Sequence, residues 1–278
     1  MHKGNKEKGI SVYFVVILRE MNSDIRLTFL GTGTSQGIPI IGSTHPVCLS
    51  QDPRDKRLRT SALIQYNGCS IVVDCGPDFR QQMLRNPIEH LDAVLFTHEH
   101  ADHTHGLDDL RPFYFKQGAL DIYALPRVHA SLKERFPYVF AEENRYPGAP
   151  ELRRHTIDKN QKFELGGKTI NPIEAHHNKI TVLGFQIEGL VYLTDVKTMD
   201  KDQMEQIKGC EVLVVNALRQ DPHPSHFNLE EALAFTEEIG AGATYFTHIS
   251  HLLGFHAEVQ RQLPQNVFLA VDNMVVEL

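Results

Sequence analysis

The chain contains a series of short apolar stretches, and each of them ends in polar or turn-forming residues. Stretches of this kind are typical of buried strands. They lie at 25–30, 59–64, 70–74, 91–96, 163–173, 190–195 and 211–216. Asn67-Gly68 separates one pair of stretches and Gly166-Gly167 interrupts another, and both dipeptides favour tight hairpin turns. We therefore expect these stretches to pair in sheets.

Fewer segments have a helical pattern. We predict a helix over 79–85. Asn228 precedes a segment in which Leu229, Leu233 and Ile239 share one helical face, and an Asn in that position can cap a helix. A second helix is therefore predicted to begin directly after Asn228.

The first 24 residues differ from the rest of the chain. Met1 to Lys8 is polar and basic, and the apolar run 12–18 that follows is too short to span a bilayer. The small-residue cleavage site that a signal peptide would carry does not follow the run. We expect Met21 to be the natural start and residues 1–24 to be a leader that is disordered or not native. Mass spectrometry of the native protein would test this hypothesis.

Net charge and cysteine content indicate which partners and which cellular compartment to expect. The chain has 278 residues and a formal net charge of −7 at pH 7. General nucleic-acid binders are usually basic, so we expect no stable nucleic-acid complex. The four cysteines lack the spacing of a secreted disulfide framework, which favours a reduced, cytoplasmic compartment. The length permits one large domain or two small ones.

The densest group of candidate metal ligands lies in Thr97-His98-Glu99-His100-Ala101-Asp102-His103. This string follows the apolar stretch 91–96 and precedes a predicted helix start over 104–110. It therefore leaves the carboxyl end of a strand, where open sheets tend to place ligand sites. Imidazole and carboxylate groups together suit zinc, manganese or iron. The alternative is a polar turn that is rich in histidine and binds no metal.

The H-x-H-x-D-H spacing of this string resembles the signature of the metallo-β-lactamase superfamily. The resemblance implies an α/β (α+β) fold, a four-layer αββα sandwich, as a single domain over 25–278 with an insertion around 112–155. It also implies two divalent metal ions, zinc or manganese. The implied ligands are His98, His100 and His177 for the first metal, Asp102, His103 and His248 for the second, and Asp195 as the bridge between them. Asp74, at the end of a strand, would orient the histidine-rich loop from behind the ligands.

Several segments resemble the PhnP-type phosphodiesterases of this superfamily. They are Gly31 to Gly37, the stretch 180–187 after His177, the segment 226–233 and the Thr-His-Ile-Ser-His string 247–251. The resemblance implies that a hydroxide between the metals hydrolyses a small, cyclic nucleotide or ribose phosphate diester. It assigns His226 the role of general acid, which we expect at the rim of the site. Asp102 is expected to serve in catalysis as well as in metal binding.

The same resemblance raises a second, structural metal site. Its candidates are His45, Cys48 and His251, while Ser43 stands where the family pattern has a cysteine. Because Ser43 is a poor ligand, we expect a structural zinc to be partial or absent. Arg111, close to the motif and to an aromatic cluster, is a candidate contact for a substrate phosphate, and a structural ion pair is the equal alternative.

Other functions share the ligand set. A tRNA 3′-processing endonuclease is one alternative, although the acidic balance does not favour it. A thioesterase of the glyoxalase type is another, and a non-catalytic metal-binding accessory protein is an alternative of a different class. The expected partner is a small phosphodiester substrate, and no membrane partner is expected. The sequence leaves open whether the protein forms a homodimer.

Overall fold

The computed structural model describes residues 25–144 and 146–278, so the prediction about a leader at residues 1–24 lies outside the described residues. Fourteen strands form two seven-stranded sheets in these ranges. The strands are β1 (Arg26–Gly31), β2 (Ser61–Tyr66), β3 (Cys69–Val73), β4 (Ala93–Leu95), β5 (Leu120–Ala124), β6 (Leu152–Thr156), β7 (Phe163–Leu165), β8 (Lys168–His177), β9 (Ile180–Ile187), β10 (Leu190–Tyr192), β11 (Val212–Asn216), β12 (Ala243–Thr247), β13 (Val267–Leu269) and β14 (Val275–Glu277). The helices are α1 (Pro46–Leu49), α2 (Phe79–Arg85), α3 (Ala101–Thr104), α4 (Arg111–Gln117), α5 (Pro126–Arg135), α6 (Lys201–Ile207), α7 (Leu229–Ile239) and α8 (His256–Gln260), with 3-10 turns at Pro53–Asp55, Leu107–Leu110 and His251–Leu253.

Each sheet is antiparallel in one half and parallel in the other. The first sheet has the order β14-β1-β2-β3-β4-β5-β6, and its pairs from β3 to β6 are parallel. The second has the order β13-β12-β11-β10-β9-β8-β7, and its pairs from β10 to β13 are parallel. Parallel neighbours end at the same edge of a sheet, so each sheet gathers several strand ends, and the loops after them, at one edge.

Alternating side chains of the second sheet divide the core into two layers. Tyr192 of β10 is fully buried in the cluster that the two sheets share. Its neighbours Val191 and Leu193 belong to a cluster with Met204 of α6 and Phe235 of α7 on the other face. A period of two is what a strand buried on both faces requires. Helices, sheet, sheet and helices thus form the αββα sandwich, which confirms the predicted fold class.

Helix α7 begins where the sequence predicts. Asn228 Oδ1 accepts a hydrogen bond from Glu231 N at 2.9 Å, and Glu231 Oε2 accepts one from Asn228 N at 3.0 Å. This reciprocal pair satisfies two amide groups that a helix start would leave unpaired. Gly240, in the left-handed region at φ 67°, ends the helix. The cap fixes the direction in which the preceding loop, with His226, enters α7.

The region expected as an insertion around 112–155 differs in part from that expectation. Its strands β5 and β6 extend the first sheet, and α5 lies between them. The described residues between α5 and β6, 136–144 and 146–151, belong to no helix or strand, and an insertion there stays a prediction. Strand β6 was not predicted because it is a polar edge strand whose residues 153–156 are exposed, so it has no apolar pattern. None of the described helices combines the length and the apolar character that a bilayer span requires.

Candidate metal centre

The predicted ligands and Asp74 lie at the ends of five strands or on the turns that follow them. His177 is the last residue of β8. His98, Asp195 and His248 follow β4, β10 and β12, and Asp74 follows β3. Asp74, Asp195 and His248 have positive φ angles of 61°, 59° and 54°. Residues other than glycine rarely adopt this left-handed backbone conformation, because it costs on the order of 1–3 kcal/mol. Such residues are concentrated at functional sites. The turns redirect these side chains toward one place.

The structure brings all the predicted ligands together in one cluster. His98, His100 and His177 offer nitrogens within 4.8 Å of one another, and Asp102, His103 and His248 form a second group by the same measure. Helix α3 starts inside the motif, earlier than the predicted 104–110, and carries Asp102 and His103 in its single turn.

Asp195 lies between the two groups. It forms a close group with His98 and His103 and another with His177 and His226. Its Oδ2 is 3.3 Å from His103 Nε2 and 3.2 Å from His248 Nδ1. A carboxylate in this position can reach ions in both groups. The geometry is therefore compatible with the bridging role that the sequence suggested.

Asp74 supports the cluster from behind. Its Oδ2 accepts hydrogen bonds from His103 Nδ1 at 2.7 Å and from Thr97 Oγ1 at 2.8 Å, and its Oδ1 accepts one from Thr97 N at 2.8 Å. Thr97 Oγ1 lies in turn 2.9 Å from His98 Nδ1. These contacts direct Nε2 of both histidines into the cluster. A carboxylate that holds the far nitrogen of a ligating histidine fixes its tautomer and orientation.

The far nitrogens of two other histidines are held by different groups. His177 Nδ1 donates to the carbonyl oxygen of Ser225 at 2.7 Å. His248 Nε2 lies 3.2 Å from Thr34 Oγ1. Thr34 belongs to the glycine-rich loop after β1, so this loop contacts the cluster through a hydroxyl group rather than through backbone amides.

Burial and neighbouring charges set the protonation of the cluster. Burial lowers the pKa of His98 well below its ordinary value, and burial lowers that of His248 to about 3. His103 behaves differently, since burial would lower its pKa but Asp102, Asp195 and Asp74 raise it well above its usual range. Burial would raise the pKa of Asp195, yet His248 and His103 hold this pKa well below the ordinary value of an aspartate. His98 and His248 are thus neutral and Asp195 is ionised, which are the forms that bind metals, whereas His103 holds a proton that a bound metal would displace.

Unpaired nitrogens in the cluster test whether a metal would fit. His98 Nε2, His103 Nε2 and His248 Nδ1 are buried and make no hydrogen bond in the described part of the chain, although the last two lie within 3.3 Å of the Asp195 carboxylate. A buried polar atom without a partner costs about 1–3 kcal/mol, and a metal bond would offset that cost. Imidazole with carboxylate is a donor set that suits zinc or manganese. The residues therefore fit divalent ions.

His226 lies deeper than the predicted rim position. It is 9% exposed, and its Nε2 is 2.9 Å from Asp195 Oδ1. Its Nδ1 is 3.1 Å from His223 Nδ1 and 3.1 Å from Ser225 Oγ. The expectation was wrong because the loop before α7 turns inward, which brings the ring against His177 and His248 at centroid distances of 4.4 and 4.9 Å.

The candidates for a structural metal are only partly assembled. The rings of His45 and His251 meet at a centroid distance of 4.8 Å, and Cys48 is buried nearby in the chain. His45 Nδ1 accepts a hydrogen bond from Val47 N at 3.3 Å and caps α1. Among the described residues, the groups with ligand atoms within 4.8 Å of one another do not include this trio. The partial or absent structural zinc stays a prediction.

Arg111 pairs with a neighbouring carboxylate. Its Nη2 donates to Asp108 Oδ1 and Oδ2 at 2.6 and 2.8 Å, and Tyr138 donates its hydroxyl to the same Oδ1 at 2.7 Å. The structure thus contains the ion pair that was the alternative to a substrate contact. Arg111 could contact a phosphate only by sharing or leaving Asp108.

Apart from Asp74, sequence reasoning missed the residues that hold the ligands and His226 in place. Thr97, Ser225, Thr34 and His223 act through contacts that only the fold creates. Arg127 of α5 was also missed, and it donates to the carboxylate of Glu99 and to the carbonyl oxygen of Thr181, which ties the motif loop to β9. The motif itself supplied a signal only for Thr97, which precedes His98 directly.

Known proteins resemble the chain over most of its length. A family profile described as "beta-lactamase superfamily domain" matches residues 70–249. A crystal structure described as a new diphosphatase from the PhnP family superposes with a TM-score of 0.85 at 38% identity, over 91% of this chain and 97% of that one.

Two curated relatives have other names. An octanoyltransferase of Porphyromonas gingivalis is 39% identical over 252 residues, which are 90% of this chain, and the chain spans only about half, 51%, of that relative. A ribonuclease Z of Mycobacterium bovis is 26% identical over 254 residues, which cover 80% of this chain and 89% of the relative. The profile match, the fold and the PhnP neighbour agree with the histidine and aspartate cluster. The chain belongs to the β-lactamase superfamily and, within it, to the PhnP family, whose fold implies divalent metal ions.

Proposed function

We propose that this chain is a metal-dependent phosphodiesterase that hydrolyses a small, cyclic nucleotide or ribose phosphate diester. The observation that carries the proposal is the position of His226 Nε2, 2.9 Å from Asp195 Oδ1 inside the histidine and carboxylate cluster. A diester that releases an alkoxide needs both charge stabilisation at phosphorus and a proton for the leaving oxygen. The cluster offers a place for the first and a donor for the second.

The proposed roles of the ligands follow their grouping. His98, His100 and His177 would hold one ion, Asp102, His103 and His248 the other, and Asp195 would contact both. Divalent ions bound there would supply Lewis acidity toward the phosphoryl oxygens and a water whose pKa lies near neutrality. Asp102 takes part in catalysis through this placement.

The hydrogen bonds around His226 support its assignment as general acid. His223 Nδ1 accepts from the backbone N–H of Ser225 at 3.3 Å, so this nitrogen offers a lone pair to His226 Nδ1. On the other side, the carboxylate of Asp195 can only accept. Both ring nitrogens of His226 therefore face acceptors. An imidazole in such surroundings is arranged to donate.

The preference for a small substrate rests on charge and on the relatives. A net charge of −7 does not attract a polyanion such as RNA. The PhnP-family neighbour is 38% identical over nearly its whole length, whereas the ribonuclease is 26% identical. Both carry names of enzymes that cleave bonds to phosphorus. The four free and buried cysteines support the proposal of a reduced, cytoplasmic environment.

A panel of substrates tests the proposal. The protein loaded with zinc or manganese is given a nucleoside cyclic phosphate, a ribose cyclic phosphate, a dinucleoside diphosphate and a tRNA precursor with a 3′ trailer. We expect the highest kcat/KM on a cyclic diester. Cleavage confined to the diphosphate would move the assignment to a diphosphatase, and cleavage confined to the tRNA to an endonuclease. A fully loaded protein that turns over none of them would be an accessory protein.

A further inference from the structure

His223 has no role in the ligand set, yet it contacts the residue proposed as general acid. It lies in the loop between β11 and α7, and its side chain is partly exposed. Its Nδ1 is 3.1 Å from His226 Nδ1, and the ring centroids are 5.0 Å apart at 52°. The contact continues outward from the buried cluster, through His226, to a histidine near the surface.

The direction of this contact follows from Ser225. The backbone N–H of Ser225 can only donate, and it points to His223 Nδ1 at 3.3 Å. His223 Nδ1 must therefore carry a lone pair. Two nitrogen lone pairs 3.1 Å apart would repel each other, so the hydrogen between the two rings belongs to His226 Nδ1.

The ring of His226 is consequently held at both ends. Asp195 Oδ1 holds Nε2 at 2.9 Å, and His223 holds Nδ1 with help from Ser225 Oγ, which lies 3.1 Å from the same atom. Asp195 alone would hold the ring by one hydrogen bond, beside its packing against His177 and His248. A second hydrogen bond at the opposite nitrogen restricts the ring further.

We propose that His223 is a positioning residue, which fixes the ring plane of His226 and so keeps its Nε2 facing the cluster, where the leaving oxygen would take its proton. The proposal rests on the proposed function for its catalytic consequence, but the contact between the two rings can be tested by itself. The effect should be confined to the step that needs the proton. Residues that hydrogen-bond a metal ligand are typically worth ~10–100-fold in activity, and we expect a similar effect for a residue that holds the proton donor.

Two substitutions separate the hydrogen bond from the bulk of the side chain. His223→Leu removes the acceptor, whereas His223→Asn keeps an oxygen acceptor close to the place of Nδ1. His90→Leu is a matched control, since His90 is a surface histidine that pairs with Asp92 before β4, at the other end of that strand from the site.

The kinetic test compares a cyclic phosphate diester, which releases an alkoxide, with bis-p-nitrophenyl phosphate, whose leaving group needs no proton. We expect His223→Leu to lose ~10–100-fold in kcat on the cyclic diester, with KM and metal content unchanged and a much smaller loss on the aryl diester. His223→Asn should recover most of the loss. Equal losses on both substrates, loss of metal, or failure of the Asn variant to recover would overturn the proposal, as would an unchanged Leu variant.

A spectroscopic readout distinguishes this proposal from the proposed function. Long-range ¹H–¹⁵N spectra of histidine-labelled protein report whether Nδ1 of His226 carries a hydrogen bond. We expect this signal to move in His223→Leu and to stay in place in His223→Asn and His90→Leu. If the wild-type protein hydrolyses neither diester, the proposed function fails while the spectra still decide whether His223 holds His226. A signal that is the same in all variants would show that it does not.

Discussion

The ligands and the residues that hold them differ in how far the sequence reveals them. His98, His100, Asp102 and His103 lie within six residues, so their spacing alone indicates a metal site. Their hydrogen-bond partners come from distant segments: Asp74 meets His103 across 29 positions, and Ser225 meets His177 across 48. Spacing carries no information about such pairs, because the sheet register brings them together. The left-handed turn at Asp195 is equally hidden, since aspartate adopts a positive φ more often than most residues but still too seldom for its presence to predict one.

At this scale, His226→Ala tests the proton donor. The variant should keep its metals, because the seven predicted ligands do not include His226. It should lose ~10²–10⁴-fold in kcat on a diester with an alkyl leaving group, since general-acid help of this size disappears. The loss on bis-p-nitrophenyl phosphate should be far smaller. Elemental analysis beside the two assays checks both parts.

Two outcomes would change the role of His226. Equal losses on the two substrates would mean that it binds phosphate or shapes the pocket. A loss of metal would mean that His226 is itself a metal ligand. Its ligand atom lies within 4.8 Å of those of His177 and Asp195, which is close enough for this role.

Among the elements, several strands that are buried on both faces were predicted, whereas the exposed strand β6 and the largely buried strands β9 and β12 were not. The stretches 25–30, 70–74 and 211–216 agree with β1, β3 and β11 to within one residue at most ends, because burial on both faces selects continuous apolar residues. Strand β6 has the opposite character and was assigned to an insertion. The short helix α8 was also missed, since Val259 is its one residue in the apolar core and a buried polar network holds its first residue, His256.

That network centres on His256 and predicts a pH dependence of stability. Arg57 Nη2 donates to His256 Nδ1 at 3.2 Å, and Asp55 Oδ1 accepts from His256 N at 2.8 Å. Burial, with Arg57 beside it, lowers the pKa of His256 to about 4. Between pH 6.5 and 4 the unfolded chain binds a proton that the folded chain does not bind. The free energy of unfolding therefore falls as the pH falls through this window, by no more than roughly 3 kcal/mol from this group.

Denaturant unfolding of the wild type and of His256→Gln at several pH values between 4 and 7 measures this contribution. Glutamine keeps an acceptor for Arg57 but does not titrate. The stability of the variant should fall less steeply with decreasing pH than that of the wild type. Parallel curves for the two proteins would contradict the assignment, because other buried histidines then account for the whole slope.

In the whole molecule, the site joins the two halves of the chain. The first sheet contributes Asp74 and the motif loop after β4, and the second contributes His177, Asp195, His226 and His248. Sequence could predict this arrangement only through the resemblance to a known superfamily. Short strands with similar composition give no physical indication of which strand neighbours which. The fold was therefore predicted from the motif, and the fold in turn shows how the residues of the motif meet the other ligands.

Removal and return of the metals tests the central claim most directly. A chelator is used to strip the protein, elemental analysis confirms the removal, and zinc or manganese is titrated back while hydrolysis of bis-p-nitrophenyl phosphate is followed. We predict that hydrolysis disappears with the metals and returns in full as about two ions bind per chain, as a paired-metal site requires. Asp195→Ala should bind fewer ions and stay inactive. Hydrolysis that survives complete removal of the metals, or a protein that holds two ions and hydrolyses no phosphodiester, would contradict the claim.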